Sequence, residues 1–163
     1  MKTLKIYCKD LIATSACVNG ILAKSIIEKN HKETKNLIKY FKDNFKKDFY
    51  LEIMPVNLES QEILNKELIK ISQKEKIPLV ATNDVHYLFE DGYKFQEVIL
   101  CIGDKKKMTD DTRFKFTVNG LYMADEKQFR KMWNDLDYKI PKNILDGAIK
   151  STEDIVKKCQ HYK

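Results

Sequence analysis

Apolar positions along this chain fall into two alternating kinds of run. Short stretches rich in β-branched and aromatic residues read as buried strands: Leu11 to Thr14, Asp48 to Met54 (through Phe49, Tyr50, Leu51 and Ile53), and Leu79 to Thr82. Between them, apolar residues return every three or four positions, the spacing of one helix face. Gly20 opens a helical stretch to about Lys29. Leu37, Ile38, Phe41 and Phe45 mark a helix from Lys32 to Phe45, and Ile63, Leu64, Leu68 and Ile71 mark the inner side of one from Leu58 to Glu75. Pro55 stops the second strand, because proline cannot donate to a ladder. Strand, helix, strand, helix, strand with short connections predicts a parallel sheet with right-handed crossovers. Three strands make a small open sheet or part of a barrel.

Beyond the third strand the pattern turns helical. Glu90 to Ile102 reads as a helix, Gly120-Leu121-Tyr122-Met123 as a short extended piece, and Asp125 as the N-cap of a helix through Trp133. Pro141 opens a last helix to about Cys159, at the first-turn position proline favours. No internal repeat, low-complexity tract or linker interrupts the chain. The expected organisation is therefore a core over residues 1–103 and a mainly helical extension over 104–163 that is not an independent domain. The aromatics Phe114, Phe116, Tyr122, Phe129 and Trp133 are expected to cover a core rather than to stack on bases.

Composition adds limits. The chain has 163 residues with 43% hydrophobic content, which suits one globular domain. No apolar run approaches membrane-spanning length and the N-terminus lacks a signal-peptide core, so the expected location is the cytoplasm and no membrane partner is expected. Cys8, Cys17, Cys101 and Cys159 form no CxxC pair and are expected to be reduced, by default small buried hydrophobes. The net charge is +6, and of 30 basic residues only Arg113 and Arg130 are arginine. Lysine charge suits loose attraction to phosphate better than bidentate base reading. Lys105-Lys106-Lys107 is the densest run and the candidate phosphate contact, in an exposed loop; a merely solvated lysine surface is the competing reading.

The chemistry concentrates after the third strand, in Asn83-Asp84-Val85-His86-Tyr87. Asp84 and His86 are two residues apart, so an extended backbone would point both to one side. A carboxylate and an imidazole converging there can share a divalent metal. Taken alone, the pair has a second reading, with Asp84 capping the next helix and His86 at the surface. His31, at a charged junction between helices, and His161, in the tail, have no neighbouring donors and are expected to face solvent.

Several segments are familiar in order. Leu11-Ile12-Ala13-Thr14-Ser15-Ala16-Cys17 is similar to a "GLIALSGC" strand and turn. Phe49 to Ile53, the helix from near Leu58, and Ile77 to Leu88 are similar to "FYLE … LPLVATNDVHYL". Glu97 to Ile102, Arg113-Phe114-Lys115-Phe116 and Leu121-Tyr122-Met123 continue as "VLLCI … RLRF … FYLK". Over most of its length the chain thus resembles the C-terminal half of the PHP (polymerase and histidinol phosphatase) domain of bacterial DNA polymerase III alpha subunits. The resemblance implies a distorted TIM-like β/α barrel, of which this chain would hold about three parallel strands. It also implies a metal centre at the C-terminal strand ends, with Cys17, Asp84 and His86 as ligands for Zn2+ or Mn2+.

The departures matter as much. The family's HxH-type segment has no counterpart in this sequence, so the sequence is expected to lack about the first half of the family domain. The Met1 to Tyr7 segment looks like family sequence just upstream of the first strand. Asp10 replaces a glycine, Ala16-Cys17-Val18-Asn19-Gly20 replaces "GCLGGE", and Met54-Pro55-Val56-Asn57 replaces a "QDHG"-like bend. This sequence is not expected to hold any counterpart of the polymerase palm or its carboxylates. The implied ligand set is incomplete, and no phosphoesterase activity is expected from this chain alone. The expected function is that of a fragment of a replicative polymerase alpha subunit. Alternatives are a scaffold or docking module completed by a separately encoded N-terminal half, and a metal-dependent phosphoesterase. Expected partners are the missing portions of the alpha subunit or a proofreading exonuclease, with DNA contacted only indirectly.

Overall fold

Phe49–Ile53 (β2) is the middle strand of a three-stranded parallel sheet, flanked by β1 (Ala13–Thr14) and β3 (Leu79–Ala81). Ala13 and Thr14 lie opposite Phe49 and Tyr50; Leu51, Glu52 and Ile53 lie opposite Leu79, Val80 and Ala81. A parallel strand covered on both faces needs a nearly continuous apolar run. Phe49, Leu51 and Ile53 are accordingly fully buried and Tyr50 nearly so, with Glu52 the one exception. The computed structural model describes residues 6–118 and 120–159; the resemblance carried by Met1 to Lys5, and His161, lie outside the described residues.

The crossovers are helical. α1 (Ile21–Ile27) and α2 (His31–Phe45) connect β1 to β2, and α3 (Glu59–Glu75) connects β2 to β3. α3 packs on β2 and β3, α1 packs on α2 and α3, and α6 (Lys142–Cys159) lies against β3. Phe41 of α2 stacks on Phe49 with ring centroids 5.0 Å apart. Lys158 ties the end of α6 to the start of β2, donating to Asp48 at 2.7 Å and to the Tyr50 hydroxyl at 2.8 Å. His31, as expected, is exposed.

α4 (Tyr93–Gly103) and α5 (Glu126–Asn134) belong to a second compact unit made of Pro55–Leu58 and Asn83–Lys139; the sheet and the other helices form the first. These units follow packing rather than chain order, since α6 joins the first. Asp125 caps α5 through a reciprocal box: its carboxylate accepts from the Gln128 N–H at 2.8 Å while the Gln128 side chain accepts from the Asp125 N–H at 2.9 Å. Pro141 stands one residue ahead of α6, its carbonyl accepting from Ile144 and Leu145.

Three expectations are corrected. The first strand is two residues long, not four: Leu11 is 45% exposed and Ser15 turns inward. Ile63 does not face the core; it is 42% exposed, while Gln61 and Asn65 are buried beside Leu64 and Leu68. The inward stripe of α3 passes through those two polar positions because Asn65 closes the end of β2. Its amide donates to the Met54 carbonyl at 2.8 Å, its oxygen accepts from the Met54 N–H at 3.3 Å, and Gln61 donates to the same oxygen at 2.8 Å. Of the thiols, none in a disulfide among the described residues, Cys101 is buried but Cys159 is exposed at the end of α6, so the small-hydrophobe reading fails there.

Candidate functional site

In parallel sheets, chemistry gathers at the carboxyl ends of the strands. Here those ends meet around Glu52. The Thr14 hydroxyl, at the end of β1, donates to Glu52 Oε2 at 2.5 Å, and the Thr82 hydroxyl, just past β3, donates to Oε1 at 2.5 Å. The Glu52 N–H donates to the buried Ser15 hydroxyl at 2.8 Å. One carboxylate therefore takes a charge-assisted bond from each neighbouring strand end and fixes three tips in register. Sequence reasoning passed over it, although a glutamate inside the run Phe49-Tyr50-Leu51-Glu52-Ile53 was the available signal.

The last ladder bond of β3 runs from the Thr82 N–H to the Ile53 carbonyl at 3.0 Å. The next β2 position on that side is Pro55, which has no N–H to continue the ladder, so β3 has no further partner. The chain does not remain extended, as expected of Asp84 and His86; Asp84 takes a left-handed backbone with φ of 45°. The two side chains still approach, but through this turn: His86 Nε2 lies 3.6 Å from Asp84 Oδ1. Both are more than a third solvent-exposed, at 34% and 39%, so water screens the pairing and its contribution is small.

His86 has other neighbours in the second unit. Its ring packs against Phe116, centroids 4.8 Å apart, and Phe116 meets Phe114 edge-on at 5.1 Å. The His86 and Tyr87 N–H groups donate to the Leu121 carbonyl at 2.8 and 3.2 Å, and the Met123 N–H donates to the Tyr87 carbonyl at 3.1 Å. Tyr87 and Tyr122 form a parallel bridge, which places the extended piece expected around Tyr122. Asn83 donates its amide to the Tyr122 carbonyl, and its buried oxygen has no partner among the described residues. Tyr122 and Trp133 are buried, as aromatics covering a core should be, but Phe114 is 54% exposed.

Cys17, half-buried, sits in a turn closed by the Gly20 N–H donating to the Cys17 carbonyl at 2.8 Å; it belongs to the first unit, Asp84 and His86 to the second. Among the described residues, no group of three or more His, Cys, Asp or Glu side chains is placed to hold a metal ion. A zinc or manganese centre needs at least three protein donors converging on one point. Asp84 and His86 supply two such donors within 3.6 Å of each other.

Lys105, Lys106 and Lys107 follow α4 in a loop folded on itself. Lys106 donates to the carbonyl and hydroxyl of Thr112, whereas Lys105 and Lys107 are exposed. Asp110 accepts from the hydroxyl and N–H of Thr112, which holds its carboxyl below the usual carboxylate range. Arg113 closes the loop on α4 by donating to Glu97 at 2.6 Å. The middle lysine and the arginine thus serve the loop's own structure.

These features define a parallel α/β protein with a polar cluster at its strand tips. No family model matches the chain. Among curated proteins it is similar to the DNA polymerase III subunit alpha of Borreliella burgdorferi, 34% identical over 160 residues. It is also similar to that of Campylobacter jejuni, 31% identical, and that of Helicobacter pylori strain 26695, 32% identical, each over 168 residues. The matches take in 97–98% of this chain but only 13% of each relative. The chain thus spans about 13% of the length of the DNA polymerase III alpha subunits it is similar to.

Proposed function

We propose that the chain supplies the C-terminal half of a PHP region to a bacterial replicative polymerase, as a structural part rather than a hydrolase. The observation that carries this reading is end-to-end similarity to one stretch of DNA polymerase III alpha subunits. The ordered segments from Leu11 to Met123 that resemble the PHP domain support the finer assignment, as does a sequential parallel sheet, the arrangement from which β/α barrels are built. The proposed partners are the remaining portions of the polymerase alpha subunit, and after them a proofreading exonuclease; DNA is contacted through these partners. The proposed location is the cytoplasm; among the described residues, no helix is long and apolar enough to cross a membrane.

Hydrolysis of a phosphoester by such a domain relies on metals that acidify a water and neutralise phosphoryl oxygens. Asp84 and His86 alone cannot anchor that chemistry. The purified chain, given Zn2+ or Mn2+ and an aryl phosphodiester, is expected to release no product above the metal blank. Turnover that requires metal and disappears in His86→Ala would overturn the structural reading in favour of a phosphoesterase.

A further inference from the structure

We infer that Asn83 to Tyr87 is a structural seam that holds Leu121 to Met123, and that Asp84 and His86 serve this seam in place of a metal ion. The inference stands on the second unit alone and does not depend on membership in a polymerase.

The backbone polar groups of this segment point at one target. His86 and Tyr87 both donate to the Leu121 carbonyl, and the Tyr87 carbonyl accepts from Met123. The Tyr87 hydroxyl accepts from the Leu121 N–H at 3.2 Å, and Asn83 donates to the Tyr122 carbonyl. Two side chains therefore complete, along Leu121 to Met123, the bonds that a regular strand would make. Leu121 and Tyr122 are buried by this pairing, at 3% and 8% exposure.

Asp84 and His86 fit the same purpose. A left-handed backbone is disfavoured for any residue with a Cβ, and aspartate is among the few that tolerate it. At Asp84 it turns the chain from the last bond of β3 at Thr82 to the first bond of the seam at His86. The His86 ring packs on Phe116, which precedes the held strand by a few residues. Its contact with the Asp84 carboxylate, at 3.6 Å, is longer than a hydrogen bond and is solvent-screened. The geometry is that of a turn residue and a packed ring.

Thermal unfolding of the full chain, with and without zinc chloride, tests this. Asp84→Gly is expected to leave the midpoint near wild type, because glycine adopts the left-handed turn without steric penalty but loses more backbone freedom on folding. His86→Ala is expected to lower it, and His86→Phe, which keeps a ring on Phe116, to stay near wild type. Tyr87→Phe is expected to speed hydrogen exchange at the Leu121 amide while leaving β2 protected. Zinc is expected to shift no midpoint. A zinc-dependent rise in the wild type that both His86→Ala and His86→Phe abolish would overturn the inference. So would a large fall in the midpoint of Asp84→Gly. Should His86→Ala fail to fold, the glycine and phenylalanine variants decide alone.

Discussion

Glu52 does more for this fold than its single charge suggests. Both carboxylate oxygens accept a hydroxyl from a neighbouring strand end, and its N–H is taken by Ser15. Removing an acceptor strands the donors, and bonds to a charged group contribute roughly 1.5–3 kcal/mol when shielded. Thr14 is exposed, so the sum is discounted. Glu52→Ala is expected to cost about 2 kcal/mol in urea unfolding, and Glu52→Gln about half, because the amide keeps one acceptor. Equal losses for both variants would show that burial of the stem, not acceptance, matters. The glutamate was legible as an oddity within an apolar run, yet its partners were not. Thr14 and Thr82 lie far from it in sequence and meet it only because both outer strands pair with β2 in this register.

Helices and strands were the most legible level. The periodicity of α2 and α3 marks each helix to within a few residues, because three or four buried contacts per two turns leave a repeating trace, and Pro141 marks the start of α6. The Asp125 cap was equally plain, since its partner Gln128 is local. Asp125→Ala is expected to destabilise by about 1 kcal/mol, seen as a lower midpoint with unchanged denaturant slope. What failed was the inner face of α3. Burial of Gln61 and Asn65 cannot be read from periodicity, because hydrophobic spacing assumes that what faces inward is apolar. Their burial is compensated by Met54, whose backbone groups at the end of β2 would otherwise be unsatisfied.

For the whole molecule, apolar burial is uneven. The first unit holds the fully buried residues of β2 together with Leu22, Leu64 and Leu68. The second leaves Phe95, Ile99 and Ile102 of α4 at 71%, 59% and 72% exposure. Local opening is easier where fewer apolar groups are buried. Native-state hydrogen exchange is therefore expected to show the slowest amides in β2 and α3 and markedly faster ones in α4. Comparable protection in α4 and β2 would contradict this.

The sequence alone determined the order of elements, the parallel sheet and the similarity to a polymerase alpha subunit, because each is written in local spacing or in contiguous strings. Tertiary structure alone decided what the residues after β3 do. An extended run through Asp84 requires a neighbour with backbone groups to offer, and the register of β2 and β3 sets Pro55, which has no N–H, at the next such position. With no ladder left to follow, the backbone turns at Asp84 and spends its next hydrogen bonds on Leu121.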